Sequence, residues 1–326
     1  MTNMGIEKNN KNKRFHANKI FSVKKIFPVN NIFLKRYQEL GCECRNAISS
    51  RPSLRVNTLK TEESELIKRL GQLKVHLEKI PFARHGYYYN ADDAKFSLGS
   101  TAEYLMGYYY LQEAASQLPA QLLDPQQGET VLDMCASPGG KTSQLAQLMN
   151  NTGKMVAADI DSRRLFALRN NLERCGVKNT IIYKKDARFI FDLGIGFDKI
   201  LLDAPCSGNY VVEEDFFINK SLGGVAERAR LQKELLKAAI KSLKKGGVMV
   251  YSTCSLEPEE NEMNISWLLK KFPEMRLEET GLSVGDPGLT AVFREKLNPE
   301  ISKCRRFWPE RTGTEGFFIA KLVKKA

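Results

Sequence analysis

Residues 130–142 read TVLDMCASPGGKT: a short β-branched and apolar run, an aspartate, a turn with paired glycines, and the start of a helical stretch. A strand, turn and helix in this order open a parallel α/β sheet when more units like it follow. KMVAAD (154–159), TIIYKKD (180–186), FDKILLD (197–203) and GVMVYS (247–252) are such runs, with helical patterns between several of them. One intervening helix is marked by a recurring apolar face at Leu231, Leu235, Leu236, Ala239, Ile240 and Leu243. FFIAKLV (317–323) reads as a last strand. The alternation predicts a doubly wound α/β fold.

In open parallel sheets the ligand sits beyond the carboxyl ends of the strands, so the residues that follow each strand carry the function. After the first come Asp133 to Thr142, where Gly139 and Gly140 let backbone approach a ligand ahead of a helix N-terminus. A phosphate-binding P-loop opens with glycine where this chain has Cys135, so a nucleoside triphosphate is disfavoured. A plain tight turn explains the glycines but not the whole string. Asp159 ends the second strand, where an acid accepts the ribose hydroxyls of an adenosine cofactor; Asp161 suits a helix N-cap better. Asp186 follows the third strand and can face an adenine edge, or be a solvated acid. The fourth strand leads into Asp203-Ala204-Pro205-Cys206-Ser207-Gly208 and the fifth into Ser252-Thr253-Cys254-Ser255. One strand-end cysteine is usually core, whereas two, beside an acid and a proline turn, suggest a shared pocket for thiolate chemistry.

The 326 residues carry 50 Lys and Arg against 38 Asp and Glu, a net charge of +12, which favours a polyanionic partner over an acidic small molecule. No apolar run is long enough for a membrane span or a signal peptide, which predicts a soluble, cytoplasmic protein. Seven cysteines without a secreted-framework rhythm predict a reducing compartment, and with only 3 His no metal site is expected, including at Cys42 and Cys44. Residues 1–28, rich in Asn and Lys, read as a basic flexible arm. Residues 29–105 read as a small α+β unit, with SLRVNTLK (53–60) alternating, a helix at Leu66, Leu70 and Leu73, and Tyr87 to Tyr89 packing a core. Helical spacing is expected from Leu111 to Leu123, and residues 106–326 form the main domain.

SLRVNTLK, QEAASQLP (112–119), DMCASPGGKT (133–142), DAPCSG (203–208), YSTCSLEPEENE (251–262) and TEGFFIAKL (314–322) together resemble the Sun family of RNA cytosine-5 methyltransferases. That group contains the bacterial 16S rRNA enzyme and tRNA enzymes of archaea and eukaryotes. The ending RRFWPERTGTEGFF (305–318) looks most like the archaeal tRNA enzymes. Ser137 stands where the family usually has alanine, and NYVVEEDFFINK (209–220) departs from a commoner version bearing arginine and tryptophan.

The resemblance implies a Rossmann-like class I methyltransferase domain with a mostly parallel seven-stranded sheet, an RRM-like RNA-binding unit before it, and a monomer acting on RNA, tRNA before rRNA. It implies that Cys254 bonds cytosine C6, that Cys206 helps remove the C5 proton and release product, and that Asp203 holds the N3 and N4 edge with Lys141 orienting it. S-adenosylmethionine would be held by Cys135, Ala136, Ser137, Pro138, Gly139, Gly140 and Lys141, with Asp159, Arg164, Asp186 and Asp203. DNA cytosine-5 methyltransferases attack instead with the Pro-Cys cysteine, here Cys206. Two other readings are a methyltransferase for small molecules or proteins, needing neither cysteine, and an RNA-binding assembly factor with a vestigial site.

Overall fold

In the computed structural model the described residues are 31–42, 50–213 and 216–326; the basic arm expected at 1–28 and Cys44 lie outside them. A first sheet is built from β1 (Ser53–Val56), β2 (His76–Lys79), β3 (Gly86–Asn90) and β4 (Tyr109–Leu111), in the order β2-β3-β1-β4 with every pair antiparallel. Helix α1 (Ile32–Glu39) precedes it, α2 (Glu63–Gln72) joins β1 to β2, and α3 (Ala102–Leu105) joins β3 to β4. This βαββαβ order is the RRM-like arrangement. Leu66 and Leu70 of α2 pack on Leu54, Val56, Tyr87 and Tyr109, so the tyrosine run does serve a core. The small sheet takes in β4, past the boundary expected at 105.

The helix expected from Leu111 to Leu123 is shorter. Leu111 ends β4, a 3-10 turn covers Ala115–Gln117, and only α4 (Leu118–Leu123) is α-helical. Pro119 accounts for this, because proline fits the first turn of a helix and breaks its interior.

The second sheet holds β5 (Thr130–Asp133), β6 (Lys154–Asp159), β7 (Thr180–Lys184), β8 (Phe197–Asp203) and β9 (Leu243–Thr253), all parallel, followed by β10 (Met275–Glu278) and β11 (Asp286–Pro287). After a separate ribbon of β12 (Ala291–Val292) and β13 (Glu295–Lys296), β14 (Arg305–Phe307) and β15 (Phe317–Lys324) complete it. The order is β11-β14-β15-β9-β8-β5-β6-β7, with β10 also on β15: nine strands among the described residues instead of the expected seven. Three short strands, β10, β11 and β14, pair antiparallel on the β15 side and leave the parallel core unchanged.

The parallel strands are apolar on both faces, as a sheet covered on both sides requires. Leu132, Ile200, Leu202, Met249 and Tyr251 face α8 (Leu222–Ser242) and α9 (Glu262–Lys271). Val131, Met155, Leu201 and Val250 face α4 and α5 (Gly140–Leu148). Asp161 caps α6 (Ser162–Arg174), accepting from the N–H groups of Arg163 and Arg164 as expected. Short helices α7 (Phe216–Asn219) and α10 (Pro309–Thr312) lie in loops. The chain winds outward from β5 through β6 to β7, then returns to β8 on the other side of β5. That reversal opens a crevice at the carboxyl ends of β5 and β8. No helix among the described residues is long and apolar enough to cross a membrane.

Candidate active site

Parallel pairing of β8 and β9 puts Asp203 opposite Ser252 and carries the two cysteine turns out of the same edge. Cys206 Sγ and Cys254 Sγ lie 3.1 Å apart and both residues are half-buried. The hydrogen bond with Cys254, followed by burial, holds the Cys206 thiol well above its ordinary range. Cys135, Cys175 and Cys304 are also free thiols, whereas Cys42 is disulfide-bonded, which departs from the expectation for that residue.

Asp203 is held from two sides. Ser252 Oγ donates to its Oδ1 at 2.6 Å, and Lys141 Nζ lies 2.8 Å from its Oδ2. Lys141 also donates to Ser116 Oγ at 2.7 Å. Burial works against the ammonium, but the adjacent Asp203 outweighs it and raises the lysine above its ordinary range. Lys141 stands at the start of α5 and Asp203 at the end of β8, so the crevice itself brings them together.

Three further carboxyls surround Lys141 that the strand-end reading did not single out. Asp133 is buried and accepts from Thr142 Oγ1 at 2.7 Å, while its Oδ1 has no hydrogen-bond partner among the described residues. Burial pushes its carboxyl up to about 7. Burial and then the neighbouring Glu113 raise Glu315 to about 7 as well. Glu113 accepts from the N–H groups of Ser116 at 3.0 Å and Glu315 at 3.1 Å, which fixes the QEAASQLP segment against the crevice. Asp133 gives a stability test. Between about pH 4 and 7 the native carboxyl holds a proton that the unfolded chain has released, so stability falls as pH rises through this window. Asp133→Asn removes the effect. The melting temperature of the variant relative to wild type should climb from pH 5 to pH 8; a constant difference would contradict the shift.

The turn from Cys135 to Gly140 lies beside Asp159. Gly139 adopts φ +105° as the N-cap of α5, a backbone conformation that a side chain disfavours. Asp159 is buried, and it accepts from Ser137 N–H at 3.3 Å on Oδ2 and from Asp161 N–H at 3.1 Å on Oδ1. Arg164 donates to the carbonyl of Ser137 at 2.7 Å and lies 3.6 Å from Asp159, so it braces the turn. Among the described residues Ser137 Oγ is buried without a partner. Ile160, directly after Asp159, is an apolar side chain left 61% exposed. A carboxylate with spare lone pairs, an unpaired hydroxyl and an apolar wall at the strand ends fit the ribose and adenine of an adenosine cofactor. Asp186 caps the 3-10 turn Ala187–Leu193 and forks onto Arg188, with Nη2 at 2.6 Å; that pairing, ahead of any other cause, lowers its carboxyl below the usual range. Its strand neighbour Lys185 donates N–H to the Asp159 carbonyl at 3.1 Å, so Asp186 does lie on the rim of the same crevice.

Other residues that build the site gave no strand-end signal. Arg55 of β1 is buried and donates to Gln112 Oε1 at 2.9 Å, Ser143 Oγ at 2.8 Å and the Gly140 carbonyl at 3.2 Å, tying the small unit to the start of α5. With no carboxylate facing it in this set, burial lowers its guanidinium to about 10. Behind the cysteines, Glu260 accepts from Ser207 N–H at 3.0 Å, Ser255 Oγ at 3.1 Å and Gln232 Nε2 at 2.8 Å. Alternation and capping signals do not report a side chain that crosses from one unit to another.

Comparison with known proteins agrees with this architecture. Residues 120–323 match the family described as 16S rRNA methyltransferase RsmB/F, and residues 29–114 match the N-terminal domain of 16S rRNA methyltransferase RsmF. A human 28S rRNA (cytosine(4447)-C(5))-methyltransferase is 43% identical over 86% of this chain, which spans only 35% of that relative's length. A tRNA (cytosine(49)-C(5))-methyltransferase of Pyrococcus abyssi is 41% identical, over 84% of this chain and 88% of the relative. A crystal structure of a methyltransferase homolog protein from Pyrococcus horikoshii superposes with a TM-score of 0.77 at 43% identity, covering 85% of this chain and 87% of that one. On the family match across both units, the chain belongs to the RsmB/F methyltransferase family.

Proposed function

We propose that this protein is an S-adenosylmethionine-dependent RNA methyltransferase that forms 5-methylcytosine, with tRNA as its substrate. The observation that carries the reading is the thiol pair at 3.1 Å beside a carboxylate held by a half-buried lysine. Carbon 5 of cytosine is too weak a nucleophile to be methylated directly, and a temporary bond at carbon 6 activates it. Cys254 sulfur forms that bond. Asp203 accepts hydrogen bonds from the N4 amine and from the proton that N3 takes up from solvent as the ring gains electrons, and Lys141 keeps the carboxylate aimed. The cofactor, when bound, supplies an electrophilic methyl group. Cys206, after giving up its own proton to solvent, then takes the C5 proton, and the C5–H electron pair re-forms the ring double bond. The bond from C6 to Cys254 breaks with its electron pair leaving on sulfur, and N3 returns its proton to solvent. The turn from Cys135 to Gly140 with Asp159 and Ile160 holds the cofactor, and Arg164 supports that turn.

A paired base cannot reach this crevice, so the target cytosine is unpaired or flipped. The net charge of +12 supports an RNA partner, as does a surface groove of about 520 Å³ where Arg188, Arg230, Lys233 and Lys237 outnumber Glu227 and Glu234 around Trp267. tRNA is favoured by the match along 88% of the Pyrococcus abyssi relative. The rRNA reading draws on the 43% identity to the human 28S relative. Purified protein, S-adenosylmethionine and in vitro transcripts of tRNA and rRNA decide between them by bisulfite sequencing. One protected cytosine in tRNA is expected. Protection only in rRNA would move the substrate, and protection in neither would remove the reading.

A further inference from the structure

Lys220 ends the segment 209–220, and its side chain lies buried behind the cysteines. Its side chain is 4% exposed and its ammonium lies 4.2 Å from the Phe216 ring. Lys220 Nζ donates to Ser207 Oγ at 2.8 Å and faces Glu257 Oε1 at 3.2 Å. Ser207 follows Cys206 and Ser255 follows Cys254. Both hydroxyls donate to the same oxygen of Glu260 and lie 3.3 Å from each other. Because the ammonium can only donate, it occupies a lone pair of Ser207 Oγ and turns the hydroxyl proton toward Glu260. One carboxylate therefore ties the two cysteine turns together, and one cation fixes the direction of the tie.

A buried ion of this kind is weak support for stability, since its desolvation cost offsets much of what its partners return. In some proteins such an ion serves conformational specificity instead. Here the geometry it specifies is that of the two thiols, each one residue away from the clamp.

We infer that Lys220 is a positioning residue which, through Ser207 and Glu260, sets the Cys206 to Cys254 separation needed for the proton-removal step. The inference rests on the covalent reading given above and adds to it a residue outside the strand-end motifs. Loss of the cation frees the Ser207 hydroxyl to turn to Ser255, and the Cys206 turn drifts relative to the base it must deprotonate. The first bond, from Cys254 to C6, does not depend on Cys206, so it survives.

The test uses the full chain with in vitro transcribed tRNA and with the same transcript carrying 5-fluorocytosine, whose C5 substituent cannot leave as a proton. Lys220→Gln is expected to lower kcat by up to about 100-fold with the RNA KM within about twofold, the size of effect that a displacement near 1 Å produces. Its covalent adduct with ordinary tRNA should rise at least roughly tenfold per folded molecule, as expected when only the step after the bond is slowed. Glu260→Gln keeps the shape of its side chain and should show the same retention, and the double variant should be no worse than the poorer single one. A merely structural role would lower formation and release together and retain no adduct. Wild-type adduct lifetime in folded Lys220→Gln or Glu260→Gln would overturn the clamp. If wild type formed no adduct even with 5-fluorocytosine RNA, the covalent reading itself would fall.

Discussion

Cys254→Ala is expected to abolish methyl transfer and to leave no RNA adduct on a denaturing gel, whereas Cys206→Ala should keep the adduct and stop there. Removing an attacking nucleophile costs on the order of 10⁴-fold or more in kcat. The structure gives a reason for the asymmetry. Cys206 is raised well above its ordinary range first of all by its hydrogen bond to Cys254, 3.1 Å away. Once Cys254 is bonded to C6, its sulfur has no charge and no proton to share, so the main cause of the shift is gone. Cys206 then becomes a better base at the step that needs one. Cys206→Ala loses that base, and the ring stays attached. An adduct from Cys254→Ala and none from Cys206→Ala would exchange the two roles and place attack on the Pro-Cys cysteine.

Legibility in the sequence followed the range of the interactions. The parallel strands were readable because burial on both faces makes each a short apolar run, and the crevice was readable because a doubly wound sheet puts every strand end on one side. The turn from Cys135 to Lys141, Asp159, Asp203, Cys206 and Cys254 needed nothing more. Apolar spacing from Leu111 does not distinguish β4 and a 3-10 turn from α-helix, and Pro119 confines the helix to Leu118–Leu123. Lys220 and Arg55 were missed for a different reason. Each is a long cation whose partners lie far along the chain, Lys220 on Ser207 and Glu257 and Arg55 on Gln112 and Ser143. Glu113 and Glu315 likewise meet only in three dimensions. Helix α1 belongs to this class too: its Arg36 reaches Glu257 at 3.0 Å and Glu259 at 2.6 Å, and its Tyr37 donates to Glu257 at 2.6 Å.

Asp203→Asn should reduce kcat/KM for RNA by roughly 10²- to 10⁴-fold, the usual range for a positioned acid–base group. The asparagine preserves size and can still meet Ser252, so the loss reports the charge. In the wild type that charge faces Lys141 at 2.8 Å and, on the proposed mechanism, accepts from the N3 proton that the ring takes up when Cys254 adds to it. The substitution also leaves the Lys141 ammonium with burial opposing it and its main counter-ion removed, the reverse of the balance that raises the wild-type lysine. A raised lysine contributes stability that is complete below its unfolded pKa and is lost only as pH climbs through the higher folded value. In Asp203→Asn the folded value drops, so the alkaline limb of both activity and melting temperature should move to lower pH than in wild type. Asp133 remains nearby and softens the shift without cancelling it, because burial keeps its carboxyl near 7. Measuring kcat/KM and melting temperature from pH 6 to pH 10 separates the outcomes. Activity within tenfold of wild type and an unmoved alkaline limb would mean that Asp203 neither charges the ring nor holds Lys141.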